Sequence, residues 1–351
     1  MQDQASRLRQ WVRQYGSPKT GTDVRGPALV VVLGGRPGVG VTTVSANLAA
    51  ALTAAGMRTV LLDGDPHSPD AARVCRLQTR ETLADVITAG RTLPEVLQPG
   101  PGGIYVVPGV RPGQPLSADP RYASQRILEG LRGLGSCAEV VAADLGGQLS
   151  PWTRALWRAA HCRLAVMTAD PAVLMDTYAV LKTLTAQTGL APVHVVVNRA
   201  ASEPEAKDVY DRLARTCLQF LALPVSLAGF VPADPRVEKA GWNQGLLVSW
   251  TPAPESASSI HQLAQYVAEI LGKRLGEQPP PKESPQTGES EAPKGVVVRG
   301  IRPSAGAPWS ETSAAPPQWH VHQPDWVGKL GFPVTVSPSL DSPVGENRKK
   351  D

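Results

Sequence analysis

One segment of the sequence runs from a continuous apolar stretch straight into a glycine-rich loop and then into a helical pattern. The apolar stretch is ALVVVL at 28–33, the loop is GGRPGVGVTT at 34–43, and the helical pattern spans 42–55. In α/β proteins this order directs backbone N–H groups and the positive end of the helix at a phosphate group. The segment therefore predicts an α/β domain that binds a phosphorylated ligand.

Short apolar runs alternate with helical patterns along the centre of the chain. The further runs lie at 59–62, 104–107, 140–143, 164–168, 194–197 and 225–230. The further helical patterns lie at 81–88, 120–134, 171–187, 203–218 and 256–275. This alternation predicts βαβ crossovers and a doubly wound, mainly parallel α/β sheet covered on both faces. Ligands of such sheets bind beyond the carboxyl ends of the strands.

The two ends of the chain differ in composition from its centre. Proline concentrates after residue 278, in a segment that cannot bury enough apolar area to offset the entropy of ordering. The first residues instead carry apolar side chains at helical spacing up to Gly16. We predict an N-terminal helix over 1–16, a linker over 17–26, a nucleotide-binding domain over 27–275 and a disordered tail over 276–351.

Two segments near the C-terminus could contact other surfaces. The helix predicted at 256–275 carries an apolar stripe, which we expect to pack on the core rather than on a membrane. The stripe consists of Ile260, Leu263, Val267, Ile270 and Leu271. Within the tail, PDWVGKLGF at 324–332 is a candidate segment for binding a partner or touching a membrane.

Composition excludes several classes of protein. The net charge of +4 is modest for a chain of 351 residues and does not mark a nucleic-acid-binding protein. The four cysteines form no C-x-x-C pair, which predicts buried free thiols rather than a zinc site or a disulfide framework. The N-terminus lacks the apolar region of a secretory signal, and no apolar run reaches the roughly 18 residues of a membrane span. These features predict a cytoplasmic protein.

The glycine-rich loop matches the phosphate-loop pattern G-x-x-x-x-G-K-[ST] except at the lysine, which is Val41. Thr42 stands where a hydroxyl normally holds Mg²⁺. A hydrogen bond to a charged group contributes about 1.5–3 kcal/mol, or roughly 10- to 150-fold in affinity. Hydrolysis should lose more, because the ammonium also balances charge on the transferring phosphoryl group. Nucleotide binding can therefore survive where turnover fails, and Arg36 is a candidate for partial compensation.

The loop resembles the deviant Walker A motif of the MinD/ParA ATPases, G-K-G-G-x-G-K-[ST]. In that family the first lysine reaches across an ATP-bound dimer; here Arg36 keeps its charge, and Pro37 replaces a family glycine. The resemblance implies a P-loop NTPase fold and ATP or ADP as the ligand. It implies that the nucleotide contacts Gly35, Arg36, Pro37, Gly38, Val39, Gly40, Val41, Thr42 and Thr43.

Two further segments support the same resemblance through their aspartates. VLLDGDP at 60–66 resembles switch I, which makes Asp65 the residue expected to position the attacking water, with Arg36 as the second catalytic candidate. VVAADLGG at 140–147 resembles the Walker B and switch II region. The resemblance thus implies that Thr42, Asp65 and Asp144 hold Mg²⁺. Alternatively, Asp63 and Asp65 are turn residues that only end a strand.

The base-binding side of the site is suggested by two later segments. VVVNR at 195–199 resembles the strand whose asparagine, here Asn198, contacts the adenine. FVPADPRVEKA at 230–240 resembles the following loop and adds Pro232 and Asp234 as expected contacts. The alternative for Asn198 is a buried polar cap.

Within MinD/ParA, residues 1–273 most resemble the FlhG-type regulators of flagellar number and placement. DQASRLR at 3–9 fits their N-terminal motif, and 170–184 and 195–249 follow the same pattern. In that group the N-terminal helix binds and stimulates an FlhF-type GTPase, a relative of the signal-recognition-particle GTPases. The implied contact residues are Asp3, Gln4, Ala5, Leu8 and Arg9.

Three functional hypotheses follow. The first is an FlhG-type regulator whose nucleotide domain hydrolyses ATP weakly. The second is a working ATPase switch that dimerises with ATP, and the third, which the modest charge disfavours, is a ParA-like DNA-partitioning protein. The resemblance also suggests flagellar basal-body components and the inner face of the cell membrane as contacts, and leaves open whether the chain is an enzyme.

Overall fold

Eight strands form one sheet in the order β3-β4-β2-β5-β1-β6-β7-β8 in the computed structural model. It describes residues 26–277 except 112, 115–118, 136 and 241–244, and only the backbone of 238–240 and 273–277. The predictions for 1–25, including the partner-binding helix, and for 278–351, including 324–332, lie outside the described residues. The strands are β1 Ala28–Gly34, β2 Thr59–Asp63, β3 Gln98–Pro99, β4 Tyr105–Val107, β5 Val140–Asp144, β6 Cys162–Met167, β7 Val193–Ala200 and β8 Val225–Pro232.

All neighbouring strands run parallel except β3 and β4 at one edge. Strand β1 lies between β5 and β6, and every residue of β1, β2, β5 and β6 is buried. Fully buried parallel strands consist of nearly continuous apolar runs, which explains why these strands were recognisable in the sequence. The doubly wound, mainly parallel α/β fold is confirmed. Because β1 is central, the loop that follows it lies in the middle of the sheet's carboxyl edge.

Ten α-helices connect or cover the described strands. They are α1 Val41–Ala54, α2 Ala71–Val74, α3 Leu83–Thr88, α4 Leu93–Val96, α5 Pro120–Gly133, α6 Thr153–Ala159, α7 Pro171–Thr188, α8 Glu203–Leu221, α9 Pro235–Ala240 and α10 Glu255–Glu277. The side chains of Asp119, Asp170 and Ser202 cap α5, α7 and α8, and a proline stands in the first turn of each. These capping residues determine where the helices begin.

The apolar stripe of the last helix packs on the core, as predicted. Ile260, Leu263, Val267 and Leu271 are buried, and Ile270 is half-buried against the same cluster. All four cysteines are buried free thiols, also as predicted. Within the described residues, no helix combines the length and hydropathy that a membrane crossing requires.

The elements that the sequence analysis missed are short. Helix α6 has seven residues, α2 and α4 have four each, and β3 has two and ends in proline. Such elements span too few residues to show a period, and tertiary contacts stabilise them instead. Helix α3 begins at Leu83 rather than 81, because Thr82 and Asp85 form a capping box.

Candidate functional site

A cavity of about 630 Å³ opens at the carboxyl edge of the sheet, around the loop after β1. Many of the predicted site residues line it, which places them together although they come from four separate segments. They are Pro37, Gly38, Gly40, Val41, Thr42, Thr43, Asp65, Asn198, Pro232 and Asp234. The predicted residues that do not line it are Gly35, Arg36, Val39 and Asp144. This location is where doubly wound sheets bind ligands.

The loop after β1 has the backbone form of an anion site. Gly40, directly before α1, and Gly38 both lie in the left-handed region, at φ 96° and φ 83°, which favours glycine. Among the described residues, no side chain caps the first N–H groups of α1. Those N–H groups therefore remain as donors, together with the positive end of the helix dipole.

Val41 is buried at the point where a phosphate loop normally carries lysine. A Cβ added to Gly34, the last residue of β1, would lie 2.9 Å from Cγ2 of Val41, so the valine packs against the end of that strand. Its side chain belongs to the main hydrophobic core. The replacement of lysine is thus accommodated by apolar packing, and Val41 offers no charge to the cavity.

Arg36 turns away from the cavity toward α7. Its Nε lies 2.6 Å from Oδ2 of Asp176, and both side chains are about 40% exposed. The neighbouring Gly35 packs so closely on the backbone of Thr177 that an added Cβ would collide with it. Gly147 presses in the same way on the backbone of Arg36. The first half of the loop is therefore held by α7 and by the segment after β5.

Asp63 and Asp65 have different surroundings, although they stand two residues apart after β2. Asp63 is fully buried, does not line the cavity, and accepts hydrogen bonds from the backbone N–H groups of Asp65 (3.2 Å) and Ala71 (3.0 Å). Burial and the nearby Asp144 raise the pKa of Asp63 well above its usual range. These contacts are those of a residue that shapes a strand-end turn.

Asp65, in contrast, faces the cavity. Its Oδ1 accepts the N–H of His67 at 2.8 Å, and its Oδ2 lies against Gly146, where an added Cβ would collide with it. Gly146 also has φ 69°, in the left-handed region. The segment after β5 thus packs against the Asp65 carboxylate and limits its position.

Asp144, at the end of β5, is a fully buried carboxylate behind the loop. Burial raises its pKa to about 7, the Thr42 hydroxyl and the N–H of Gly146 lower it, and Asp65 raises it again. Its Oδ1 accepts the Gly146 N–H at 3.0 Å, but Oδ2 has no partner of good hydrogen-bond geometry in the described part of the chain. A buried carboxylate oxygen of this kind fits a nearby cation.

The oxygens of Thr42, Asp65 and Asp144 suit Mg²⁺, which prefers oxygen ligands and keeps several waters. No group of three or more His, Cys, Asp or Glu side chains in the described chain has the arrangement of a complete metal site. A Mg²⁺ that shares its ligands with phosphate oxygens does not need one. The residues present therefore fit a metal that arrives with a phosphorylated ligand.

Two side chains at the end of β7 donate hydrogen bonds to carbonyl groups of the loop after β1. Nδ2 of Asn198 donates to the Val39 carbonyl at 2.8 Å, and Nη2 of Arg199 donates to the Gly38 carbonyl at 2.9 Å. Asn198 therefore contacts the loop as well as lining the cavity. Arg199 was not predicted as a site residue; its position directly after Asn198 in VVVNR was the available signal.

Two other features of the site were not predicted. Nε1 of Trp152 donates to the Gly64 carbonyl at 2.8 Å and so joins the segments after β2 and β5. Asp234, which also lines the cavity, is paired with Arg236 at 2.8 Å. Trp152 was missed because its partner lies 88 residues away in the sequence.

Comparison with known proteins agrees with this geometry. Residues 30–247 match the family described as the CobQ/CobB/MinD/ParA nucleotide binding domain. The chain is 29% identical to Antiactivator FleN of Pseudomonas aeruginosa over 239 residues, which cover 68% of this chain and 85% of FleN. It is 24% identical to the flagellum site-determining protein YlxH of Helicobacter pylori over 268 residues, which cover 75% and 90%.

Among solved structures, the fold is similar to the septum site-determining protein MinD of Pyrococcus horikoshii, complexed with Mg-ADP. The TM-score is 0.58 and the identity 24%, with 71% of this chain and 98% of that chain covered. The similarity supports the architecture described above.

Proposed function

The chain belongs to the CobQ/CobB/MinD/ParA nucleotide binding domain family, and on that premise we propose that its cavity binds ATP or ADP with Mg²⁺. The uncapped N–H groups of α1 and the glycine loop would receive the phosphates. Thr42, Asp65 and Asp144 would hold the Mg²⁺, which supplies positive charge to the phosphates when bound. The unpartnered Oδ2 of Asp144 supports this assignment.

The base would occupy the other end of the cavity, between Asn198, Pro232 and Asp234. Because Nδ2 of Asn198 donates to Val39, its Oδ1 is the atom that would accept a hydrogen bond from the adenine amino group. Asn198 would thus bind the base and hold the loop at the same time.

We propose that hydrolysis is weak. Val41 is apolar and buried, and Arg36 is engaged with Asp176, so neither places positive charge in the cavity. Charge stabilisation is the largest contribution that P-loop proteins make to phosphoryl transfer. Asp65, which faces the cavity, would still orient a water molecule, and this residual geometry supports slow turnover.

We propose that the chain regulates flagellar assembly, in number or placement, as an FlhG-type protein. The observation that carries this proposal is the similarity to the flagellum site-determining protein YlxH along 268 residues and to FleN along 239 residues, together with the N-terminal DQASRLR motif. Through Asp3, Gln4, Ala5, Leu8 and Arg9, the N-terminal segment would bind an FlhF-type GTPase. The chain would act in the cytoplasm and at the inner face of the membrane, near basal-body components.

A peptide of residues 1–16 tests the partner, assayed on the FlhF-type GTPase of the same cell. We expect the peptide and the full chain to accelerate GTP hydrolysis, and a peptide with Gln4→Ala and Leu8→Ala to lose the effect, since both a polar and an apolar contact are removed. A peptide of the same composition in scrambled order is the control. No acceleration by either the peptide or the full chain would reject the partner.

One observation favours a second candidate, an ATPase switch that dimerises with ATP. The Arg36–Asp176 ion pair is half exposed, and such pairs contribute only about 0.2–1 kcal/mol, so Arg36 could exchange Asp176 for a phosphate. This candidate predicts Mg²⁺-dependent hydrolysis that falls to background in Asp65→Ala and a dimer that forms only with ATP. A monomer with ATP and background turnover would reject it.

A further inference from the structure

The described part of the cavity lining offers a phosphate group one positively charged side chain. Among the described lining residues, three are carboxylates, Asp65, Asp70 and Asp234, and Arg199 is the one cation. Two of the carboxylates are already paired, Asp70 with Arg73 at 3.0 Å and Asp234 with Arg236 at 2.8 Å. The phosphates of a nucleoside triphosphate need positive charge beside them, because burying phosphate oxygens without a counter-charge is costly. Arg199 is therefore the residue to which the electrostatics point.

A local irregularity of the sheet aims Arg199 at the loop. Asn198 pairs with Val231 and Ala200 with Pro232, so Arg199 is the extra residue of a bulge between β7 and β8. Its φ is 55°, in the left-handed region that non-glycine residues rarely adopt. Bulges of this kind redirect a side chain next to functional sites. Here the redirected side chain spans 161 residues of sequence to reach Gly38.

The Arg199 guanidinium keeps donors for a ligand. It has five N–H donors, and one bond, from Nη2 to the Gly38 carbonyl, is made within the described chain. The remaining donors of the planar group suit phosphate oxygens, which they can bind in pairs. The bond to Gly38 fixes the group at the rim of the loop and limits the entropy lost when a phosphate binds.

We propose that Arg199 binds the nucleotide phosphates and supplies, for binding rather than for hydrolysis, part of the positive charge that a lysine at position 41 would supply. This assignment rests on the proposed nucleotide function and makes it more specific. Together with Asn198, which holds the next carbonyl at Val39, Arg199 also keeps the loop in its phosphate-binding form. Arg36 does not take this role, because its guanidinium binds Asp176 outside the cavity.

Calorimetric titration of the full chain with Mg·ADP, Mg·ATP and adenosine tests the assignment. We expect Arg199→Met to weaken both nucleotides by about 10- to 150-fold, the loss of a charged hydrogen bond, while adenosine affinity stays the same. Arg199→Lys should lose less, since it keeps the charge. Arg215→Met, which removes an exposed arginine of α8 outside the cavity lining, is the matched control.

A rescue variant separates a phosphate contact from a general effect on folding. Adding Val41→Lys to Arg199→Met should restore most of the lost nucleotide affinity, because it returns a cation to the same phosphates. A loss of adenosine binding equal to that of ADP would show a structural effect and overturn the assignment. Unchanged nucleotide affinity in Arg199→Met, or a larger loss in Arg36→Met, would also overturn it.

The same titration distinguishes this assignment from the function on which it rests. If the wild-type protein and Arg199→Met bind Mg·ADP equally well, the role of Arg199 is rejected and the proposed nucleotide site still stands. Wild-type protein that binds no nucleotide at all rejects both. Thermal unfolding of each variant without nucleotide confirms that the folded chain is being compared.

Discussion

Val41→Lys should convert the apolar phosphate loop into one that carries a charge. The ammonium would donate charged hydrogen bonds to the phosphates, worth about 1.5–3 kcal/mol, or roughly 10- to 150-fold in Mg·ATP affinity. We expect the lower end, about 10-fold, because Arg199 already lines the cavity as a cation and the two charges would share one set of oxygens. Hydrolysis should rise by more than binding, since charge develops in the transition state.

The substitution also has a cost in stability. Val41 is 5% exposed and contributes to the main core, and full burial of a valine is worth roughly 1.5 kcal/mol or more. The lysine stem can cover part of the same surface, so we expect a loss of about 1 kcal/mol in the free energy of unfolding. Urea denaturation without nucleotide measures this loss separately from binding.

Val41→Met is the matched control, because methionine is unbranched and of similar length but uncharged. Isothermal titration with Mg·ATP compares the affinities of the two variants, and phosphate release under saturating Mg·ATP compares their turnover. The difference between them reports the effect of the charge. Equal affinity and equal turnover in Val41→Lys and Val41→Met would refute the reasoning, because the ammonium would then have no phosphate within reach.

Three further predictions concern the packing that supports the site. Gly146→Ala should destabilise the fold by about 1–2 kcal/mol, because its φ of 69° lies in the left-handed region, and should weaken Mg²⁺-dependent nucleotide binding by displacing Asp65. Gly133→Ala, where the added Cβ meets open space in helix α5, should not destabilise the fold in urea denaturation and should leave nucleotide binding unchanged in titration. Trp152→Phe should lower the free energy of unfolding by about 1–3 kcal/mol, since it leaves the Gly64 carbonyl unpaired; an unchanged urea midpoint would contradict this. All four thiols should resist a disulfide reagent at pH 8 until the chain unfolds, because burial raises the pKa of Cys75 to about 12 and that of Cys217 to about 11; rapid labelling of the native protein would contradict their burial.

The central strands and long helices could be predicted from the sequence because their signals are local. A buried parallel strand is a nearly continuous apolar run, which made β1 recognisable within a few residues. Helix α1 was recognisable because it follows the glycine-rich loop and ends just before Gly56. The loop at 34–43 was also recognisable, because its glycines, its threonines and the valine in place of lysine all lie within ten consecutive residues. The family followed from that loop and was confirmed by the match over 30–247.

The direction of each charged side chain was decided by tertiary contacts instead. Arg36 and Arg199 are both arginines near the loop, but Asp176 on α7 draws one away from the cavity and a bulge in β7 directs the other to Gly38. These partners lie 140 and 161 residues distant, beyond any sequence period. The sequence alone determined that a phosphate-loop motif without its lysine is present. Only the folded sheet, which brings β7 beside that loop, determined which cation lines the cavity.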